Sequence, residues 1–438
     1  MDYYSTLFAS KISGGGSAEK WVRPADFPDL DSLDLSNEEA LYITYETNLP
    51  TSLACIRPNA TGTWYVDIGT VNNGVYTVKS TDTLSGDVIY MKALRGYEEK
   101  YVVLRIRGTI KGRGTYTNGF FGETYDLDGE RLNGSLQSFV EIYGRMPNCA
   151  SCYAFVRGKE YIRSVKLIDM AELGTLERAF NECPNLESVD ISGTTKNVLT
   201  YYLFGVSPRL RYAYLHGMNM HNMTSFSGNP VMFTDIETWN VTSLDGGHLS
   251  SAFNGWFLRG KLDLSGWTLG GNANIDRTFQ NCAYLEELDI HTWGTTNIQL
   301  AFSGCGIRQL PDLDYSIITN IGSAFKGSGL TGEITIPETT LTSFNDAFAD
   351  CRRVTKYTVP ASYTSLAAKA FSNLSSCTEI HFLATTPPTM ANVNALNTGM
   401  NANLKIYVPY SADHSVLQAY QTASNWSTFA SIIMEETV

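Results

Sequence analysis

Two short motifs have the residue types of a metal or redox site. Cys149 and Cys152 form a Cys-x-x-Cys pair, but neither a second cysteine pair nor a histidine tract follows, so a zinc site would lack half of its ligands. His216 and His221 are five residues apart, whereas the zinc-binding His-Glu-x-x-His motif uses an i, i+4 spacing to place both rings on one helix face. The sequence therefore predicts no metal site and no cofactor.

A phosphate-binding loop is suggested by residues 255–261, Gly-Trp-Phe-Leu-Arg-Gly-Lys. Leu262 stands where the magnesium-binding Ser or Thr of such a loop belongs, and the bulky loop residues lead into a strand pattern, not into a helix. The six histidines are scattered along the chain, so they form no convergent set of acids and bases. We therefore predict that the protein is not an enzyme.

Three tryptophans recur at one phase of a repeating pattern, each three residues after an apolar residue: Trp239, Trp267 and Trp293. A row of exposed indole rings would suit a glycan, because aromatic faces stack on sugar rings and are enriched in binding hot spots. The alternative, which we favour, is that the rings pack between successive coils of the chain. The three tryptophans are nevertheless the candidate ligand-binding residues of this sequence.

The pattern that contains these tryptophans is an internal repeat centred on phenylalanine. In all copies but one the Phe follows Ala, Ser or Thr, and the last five copies are spaced 23 residues apart. Cys often stands three residues after the Phe, as at Cys183 and Cys282. The predicted repeat-core residues are Phe155, Phe180, Phe204, Phe226, Phe253, Phe279, Phe302, Phe325, Phe348 and Phe371.

Each repeat has the pattern of one short helical turn with the Phe, a tight turn, and a short strand with alternating apolar residues such as Leu288 and Ile290. One repeat has too little apolar surface to fold alone, and stacking buries its apolar residues against those of its neighbours. The sequence therefore predicts a solenoid that is mainly β, with short helical turns and a parallel sheet along one face.

These residues resemble the BspA-like leucine-rich repeats. The tandem form of that family follows the frame Leu-Asp-Leu-Ser-x-Trp, Asn-Val-Thr-x-Met and Phe-x-x-Cys, and residues 262–267, 288–293 and 238–244 match it closely. The repeats from 302 to 371 lack the Trp and are similar to the variant Ala-Phe-x-x-Cys-x-x-Leu. The resemblance covers residues 146–385 and implies a protein that binds or builds something.

The tail of the chain looks like the closing cap of this family. The apolar stretch 404–408 is followed by a predicted helix through 416–420. The residues that would then cover the last repeat are Trp426, Phe429, Ile432 and Ile433. A solenoid needs such an end, because otherwise a row of strand hydrogen-bonding groups and apolar side chains stays open.

The region ahead of the repeats has alternating patterns of the β type, separated by turn residues, and these predict a small all-β sandwich. The four stretches are residues 64–68, 74–78, 88–91 and 101–106. A Gly-rich leader and a β domain before BspA-like repeats resemble proteins encoded by bacteriophages and prophages of gut Bacteroidales, whose β domain is often PKD-like. Residues 65–70, Tyr-Val-Asp-Ile-Gly-Thr, stand where those proteins carry Asp-Trp-Gly-Asp-Gly.

The Gly-rich segment between the β domain and the repeats contains Tyr116, Phe120, Phe121 and Tyr125. These residues either fill the junction or, as we favour, cap the first repeat together with Phe139 and Tyr143. The predicted segments are a flexible arm at 1–20, a PKD-like β-sandwich at 21–110, a junction and N-terminal cap at 111–145, BspA-like leucine-rich repeats at 146–385 and a C-terminal cap at 386–438.

The chain is acidic, with a formal net charge of −12 and a pI near 5.0. Nucleic-acid binding needs a basic face that displaces counterions from phosphates, so we predict no nucleic-acid partner. The one basic run, Arg105, Arg107, Lys111 and Arg113, is expected on a solvated strand edge. No stretch approaches the ~20 apolar residues that span a bilayer, and no membrane insertion is predicted.

Together, these features predict a bacteriophage virion protein, of the tail-fibre or tail-associated kind. Residues 1–110 would attach to other virion or tail proteins, and the solenoid would bind a host-cell-surface glycan or protein. Residues 1–5 lack the charged and apolar regions of a secretory signal, in keeping with assembly in the host bacterial cytoplasm and release by lysis. The alternative is a BspA-like adhesin on a bacterial surface that binds host matrix, glycan or other bacteria. The ligand, the anchoring virion component and a homo-oligomeric state stay open.

Overall fold

The computed structural model describes residues 21–49, 53–113, 120–121, 138–221, 223, 232–233, 236, 239–243, 249–269, 273–341, 344–397 and 399–437. The protein is mainly β, with 7% of the residues helical and a β-solenoid of about 11 turns, which confirms the predicted β-solenoid class. The chain divides into two compact units. The first contains residues 1–196, 206–218 and 229–236, and the second contains residues 197–205, 219–228 and 237–438.

Strands make up most of the regular structure and are numbered in chain order. Those within residues 1–196 are β1 (Ala40–Glu46), β2 (Leu53–Ile56), β3 (Ala60–Asn72), β4 (Val75–Ser85), β5 (Tyr90–Ala93), β6 (Tyr101–Ile110), β7 (Gly112–Arg113), β8 (Phe139–Arg145), β9 (Ser151–Cys152), β10 (Ser164–Ile168) and β11 (Ser188–Ile191). Those that follow are β12 (Asn197–Leu199), β13 (Tyr212–Tyr214), β14 (Asn219–His221), β15 (Met232–Phe233), β16 (Asn240–Ser243), β17 (Gly260–Asp263), β18 (Thr268–Leu269), β19 (Ala273–Asn274), β20 (Leu285–Asp289), β21 (Thr295–Asn297), β22 (Thr331–Thr335), β23 (Arg353–Val359), β24 (Ser365–Leu366), β25 (Glu379–Phe382), β26 (Thr389–Met390), β27 (Lys405–Val408) and β28 (Ile433–Glu435).

Helical segments in the described part of the chain are short. The α-helices are α1 (Asn394–Asn397) and α2 (Ser415–Thr422), and the 3₁₀ segments are Leu30–Ser32, Tyr315–Ile317 and Trp426–Ile432.

The first unit is built on one nine-stranded sheet, in the order β15-β13-β11-β10-β8-β1-β6-β3-β4. Strands β1, β3, β4, β6 and β8 pair antiparallel, whereas β8, β10, β11, β13 and β15 pair in parallel. The predicted β-rich N-terminal region is present. The sheet continues through β8, inside the predicted junction 111–145, into the strands of the first repeats, a continuity that the pattern of the sequence did not indicate.

The hairpin between β3 and β4 follows from its turn residues. Asn72 pairs with Val75, and the two residues between them, Asn73 and Gly74, have φ of 50° and 75°. A two-residue turn with positive φ at both positions matches the right-handed twist of the flanking strands and favours Asn-Gly. The turn residues expected between the stretches 64–68 and 74–78 therefore form the observed two-residue turn.

The first two residues of the basic run do not lie on a strand edge. Arg105 and Arg107 belong to β6, which lies between β1 and β3 in the interior of the sheet. Both side chains bind the fully buried carboxylate of Asp67 in β3: its Oδ2 accepts from Arg105 Nε at 2.8 Å and from Arg107 Nε at 2.6 Å. For Arg105 and Arg107 the expectation of a solvated edge was wrong, because the sequence pattern does not show which carboxylate the fold brings beside them.

The segment ahead of β1 packs on the nine-stranded sheet. Leu30, Leu33 and Leu35 are buried in one cluster with Tyr42 of β1 and Tyr143 of β8. This packing accounts for the three apolar positions of an otherwise acidic segment, because each removes a leucine side chain from water. The flexible arm predicted at residues 1–20 lies outside the described residues.

A buried carboxyl group beneath this segment predicts a pH dependence of stability. Arg23 donates to both oxygens of Glu141, whose side chain is 5% exposed. Burial raises the pKa of Glu141 to about 7, although Arg23 acts in the opposite direction. Between the ordinary glutamate value and this raised pKa the folded state binds more protons than the unfolded state, so stability rises as the pH falls.

As the pH falls from 8 to 5, we expect proton uptake by Glu141 to raise the free energy of unfolding by on the order of 1–3 kcal/mol. Urea unfolding of the wild type and of Glu141→Gln at both pH values measures it, because the variant loses this proton uptake. Glu187→Gln is the matched control, since Glu187 is a half-buried partner of Arg163 at 2.9 Å. A pH difference that is the same in wild type and Glu141→Gln would contradict the assignment.

Phe120 and Phe121, in the predicted N-terminal cap, contact the first repeat-core residue. Their ring centroids lie 5.1 Å and 5.3 Å from that of Phe155. Phe121 is also 4.7 Å from Phe139 of β8, and all four side chains are buried. Tyr143, expected in the same cap, packs instead with the leucines ahead of β1.

The strands of the second unit form two sets of parallel pairs. The first set contains β17-β20 and the five-stranded sheet β22-β23-β25-β27-β28. The second set contains β12-β14-β16-β18, β19-β21 and β24-β26. Parallel pairing between successive coils is the arrangement that stacking of identical repeats produces.

The repeat phenylalanines lie in hydrogen-bonded turns and not in the helical turns that the sequence predicted. Around Phe279, Arg277 and Asn281 have φ of 56° and 62°, and a left-handed residue on each side leaves no room for a helix. Backbone bonds to the next coil replace the helical bonds: Phe279 N donates to Ala301 O at 2.9 Å and Asn281 N to Ser303 O at 2.8 Å.

The C-terminal end of the second unit is covered by the predicted cap residues. Trp426 is buried, and its Nε1 donates to Pro388 O at 2.7 Å. Tyr420 on α2 donates to Ala384 O at 2.9 Å, and its ring is 4.9 Å from that of Trp426. β28 pairs with β27 as the last strand of the five-stranded sheet, so aromatic side chains and one added strand close this end.

Candidate recognition surface

The three tryptophans considered as a ligand ladder are core residues. Trp239, Trp267 and Trp293 are 1–2% exposed. The ring centroids of Trp267 lie 6.3 Å from those of Trp239 and 5.8 Å from those of Trp293, in stacked geometry. Because indoles of the adjacent coils cover it on both sides, Trp267 has no ring face for a sugar. The ligand-binding hypothesis for these residues is therefore wrong, and the alternative of packing between coils is the observed arrangement.

The repeat phenylalanines form the second internal stack. All those within the described residues are fully buried: Phe155, Phe180, Phe204, Phe253, Phe279, Phe302, Phe325, Phe348 and Phe371. From Phe253 to Phe348, successive ring centroids are 5.4–6.0 Å apart and nearly parallel. Phe226 lies outside the described residues. The phenylalanines therefore stabilise the solenoid and do not contact a ligand.

Two of the motifs with possible catalytic or metal chemistry, residues 255–261 and His216, take part in the packing and pairing of the coils. In residues 255–261, Trp256 and Leu258 are buried and Lys261 lies in β17, so the segment is part of a coil and no helix follows it. His216 pairs with Asp190 at 2.7 Å. No group of three or more His, Cys, Asp or Glu residues in the described part of the chain is arranged to hold a metal ion. Within the same residues, no helix has the length and apolar character needed to cross a membrane.

An ordered array of outward side chains, most of them polar, lies on the sheet β22-β23-β25-β27-β28. Side chains alternate between the two faces of a strand, and the inward positions Ile334, Tyr357 and Ile380 are buried in register. The outward positions form two rows, which we call the outer rows. The first is Glu333, Lys356, Glu379 and Lys405, and the second is Thr335, Thr358, His381, Tyr407 and Met434; all nine are exposed or half-buried.

The first outer row alternates in charge. Lys356 Nζ lies 3.6 Å from a carboxylate oxygen of Glu333, and Glu379 is in register between Lys356 and Lys405. Exposed pairs of this kind contribute little to stability, about 0–1 kcal/mol each. These side chains are therefore available to exchange their partners for groups of a bound molecule.

The second outer row contains a fixed aromatic pair. The His381 and Tyr407 rings stack with centroids 4.5 Å apart. His381 Nε2 is 2.9 Å from a Glu379 oxygen, and its Nδ1 is hydrogen-bonded to Glu436. Two carboxylates therefore hold the imidazole against the phenol ring, which gives the surface a preorganised feature.

Sequence reasoning missed the outer rows, although a signal for them was present. Glu333, Lys356 and Glu379 are 23 residues apart, the same period as the phenylalanines. Following one polar position through the repeat would have placed these residues on one face.

A buried lysine, Lys159, was also missed. Its side chain is 4% exposed, and burial lowers its pKa to about 8. No sequence pattern indicates such a residue, because lysine is normally exposed.

The fold and this surface define a leucine-rich-repeat solenoid with an ordered array of side chains on a parallel sheet. Residues 274–393 match the family described as "BspA type Leucine rich repeat region", in six copies. The chain is also similar to "The Crystal structure of Pneumococcal vaccine antigen PcpA", with 13% sequence identity, a TM-score of 0.29, and coverage of 69% of this chain and 86% of that chain. No curated protein matches the chain.

Proposed function

We propose that the protein is a non-enzymatic, virion- or tail-associated binding protein of a bacteriophage. Its solenoid would bind a glycan or protein on the host-cell surface through the outer rows, and residues 1–110 would attach it to other virion proteins. The observation that carries the binding role is the register of the nine outward side chains on one parallel sheet. A repeated frame with fixed buried positions and free outward positions suits recognition, because the outward residues vary without cost to the core.

The virion location is tested by finding where the chain occurs. Mass spectrometry of purified particles and of envelope fractions from uninfected cells compares the two settings directly. We expect peptides such as residues 179–196 in the particles at a constant ratio to other virion proteins. Detection in the envelope of uninfected cells and absence from particles would overturn the virion role and favour a bacterial surface adhesin with the same repeat surface.

The binding role is tested with charge reversals on the first outer row. We expect Lys356→Glu and Lys405→Glu to weaken binding of the purified, fluorescently labelled protein to host cells by at least tenfold, which corresponds to about 1.4 kcal/mol. Lys369→Glu is the matched control, because Lys369 is exposed in the same unit but lies in the turn ahead of Phe371. Equal binding by all three variants would remove the outer rows from the proposal.

The chemical class of the host partner follows from a parallel measurement. Periodate oxidation of the cell surface destroys vicinal diols of glycans, whereas protease treatment removes exposed proteins. Loss of binding after only one treatment identifies the class of partner. Binding that survives both treatments contradicts recognition of a surface glycan or protein.

A further inference from the structure

The thiols of Cys149 and Cys152 are in van der Waals contact. Their Sγ atoms are 3.7 Å apart, and both side chains are fully buried. The structure contains both as free cysteines. A disulfide has a sulfur–sulfur distance of about 2.0 Å, so each sulfur needs to move by only about 1 Å to form one.

Backbone hydrogen bonds fix the loop that carries the two cysteines. Cys149 N donates to Met146 O at 3.1 Å, and Cys152 N donates to Thr175 O at 3.0 Å. Between them, Ala150 N donates to Lys111 O at 2.9 Å. The two cysteine backbones are therefore already held at a separation that brings the sulfur atoms together, and bond formation does not require the loop to refold.

The repeat frame does not account for this cysteine pair. Where the frame does place a Cys, three residues after the Phe, the thiol donates to a backbone carbonyl of the preceding coil. Cys282 donates to Phe253 O at 3.1 Å and Cys351 to Phe325 O at 3.1 Å. Cys149 and Cys152 both precede Phe155, and although Cys149 Sγ also donates to Ser151 O at 3.5 Å, the two thiols contact each other, which the frame cysteines do not do.

We propose that Cys149 and Cys152 are an oxidation site that forms an intramolecular disulfide by exchange with a small-molecule disulfide such as oxidised glutathione, which reaches the buried thiols when the two-residue strand pair β7-β9 opens. One thiolate attacks the small disulfide and releases one thiol, and the second cysteine then attacks the mixed disulfide and releases the other. Two protein S–H bonds are lost and one S–S bond forms. The two electrons and two protons end on the two released small thiols.

The bond would secure the beginning of the first repeat. β9, which ends at Cys152, pairs with β7 through Gly112 and Ser151. Closing the loop 149–152 restricts the unfolded chain, and it does so at the strand pair that ties the first coil to the segment before it. The hydrogen bond between the two thiols, together with burial, raises the pKa of Cys152, so the exchange should run faster at alkaline pH.

Peptide mapping of the full-length protein tests the proposal. The folded protein is incubated with oxidised glutathione, alkylated after denaturation and digested with trypsin. Residues 146–157 form one tryptic peptide that contains both cysteines and no other, and residues 179–196 form a second with Cys183 alone. We expect the first peptide to lack both alkyl groups and to be lighter by two hydrogens, while Cys183 is fully alkylated.

Thermal unfolding provides the second measurement. A reducing agent should lower the midpoint of the oxidised wild type by about 4 °C or more, and it should leave the midpoint of the Cys149→Ser, Cys152→Ser double variant unchanged. Two alkylated cysteines in the peptide 146–157 after oxidation would overturn the proposal. A stable glutathione adduct, or a bond from either cysteine to another peptide, would overturn it equally.

Discussion

Replacing Phe302 by alanine is expected to lower the free energy of unfolding of the second unit by about 3–5 kcal/mol. The side chain is fully buried, and its ring lies between those of Phe279 at 6.0 Å and Phe325 at 5.4 Å. Alanine removes the contacts with both neighbours at once and leaves a cavity that the stacked coils cannot close, because their backbones are tied by bonds such as Phe302 N to Ala324 O at 2.9 Å.

Urea unfolding followed by tryptophan fluorescence measures this effect, because Trp267 and Trp293 belong to the same unit and are buried in it. Tyr284→Ala is the control: Tyr284 is an aromatic residue of the same unit that is 46% exposed, and its loss should cost less than about 1 kcal/mol. In a solenoid, stability depends on contacts between neighbouring coils. Separate unfolding of the coils on one side of residue 302 would therefore also agree with a core of stacked phenylalanines. An effect of Phe302→Ala as small as that of Tyr284→Ala would contradict the stacked-core interpretation.

The solenoid was predictable because one residue type marks its period. A Phe every 23 residues has no simple explanation other than identical coils, and the buried stack from Phe253 to Phe348 is the physical reason for that spacing. The conformation around each Phe was less predictable. The residue two positions after Phe is Gly, Asn or Asp in most copies, as at Gly304 and Asp350, and these have positive φ; those types indicate a left-handed turn, and the helical interpretation overlooked them.

The tryptophans show where a periodic pattern stops being informative. Trp267 and Trp293 occupy one phase of the repeat, and a phase along the chain is compatible with a stack inside the coils and with a ladder outside them. Whether the rings lie inside or outside the coils is decided by the path of the chain between the two sets of strands. That path places the two indole rings over one another, with centroids 5.8 Å apart. That path depends on contacts between coils, and a single repeat does not contain them.

Contacts between distant residues limited the prediction of the N-terminal sheet in the same way. The alternating stretches predicted its strands, including the one that contains Asp67. The partners of Asp67 are Arg105 and Arg107, which follow it by 38 and 40 residues. The register of β3 against β6 decides this pairing, and that register follows from the burial of whole strands and not from any local motif.

Asp67→Asn is expected to destabilise the first unit by about 3–5 kcal/mol, because it leaves two guanidinium groups beside a neutral amide in the interior of a sheet. The Asp67 side chain is 0% exposed. Its Oδ1 accepts from Thr81 Oγ1 at 2.7 Å and from Arg107 Nη2 at 3.1 Å, in addition to the bonds at Oδ2. Burial by itself would raise the pKa of Asp67, but hydrogen bonds from Arg107, Thr81 and Arg105 hold it below the ordinary value, so the carboxylate is charged in the folded state.

The pH dependence and a neighbouring carboxylate provide the checks. Because the folded-state pKa of Asp67 is depressed, its stabilisation is present above the ordinary aspartate pKa and is lost as the pH falls through the depressed value; Asp67→Asn should remove this loss from the acid limb of the unfolding curve. Asp82→Asn is the control, since Asp82 in β4 is 36% exposed and pairs with Lys92 at 3.3 Å. Its replacement should cost less than about 1 kcal/mol. Equal costs for Asp67→Asn and Asp82→Asn would show that the buried carboxylate does not hold the two arginines in place.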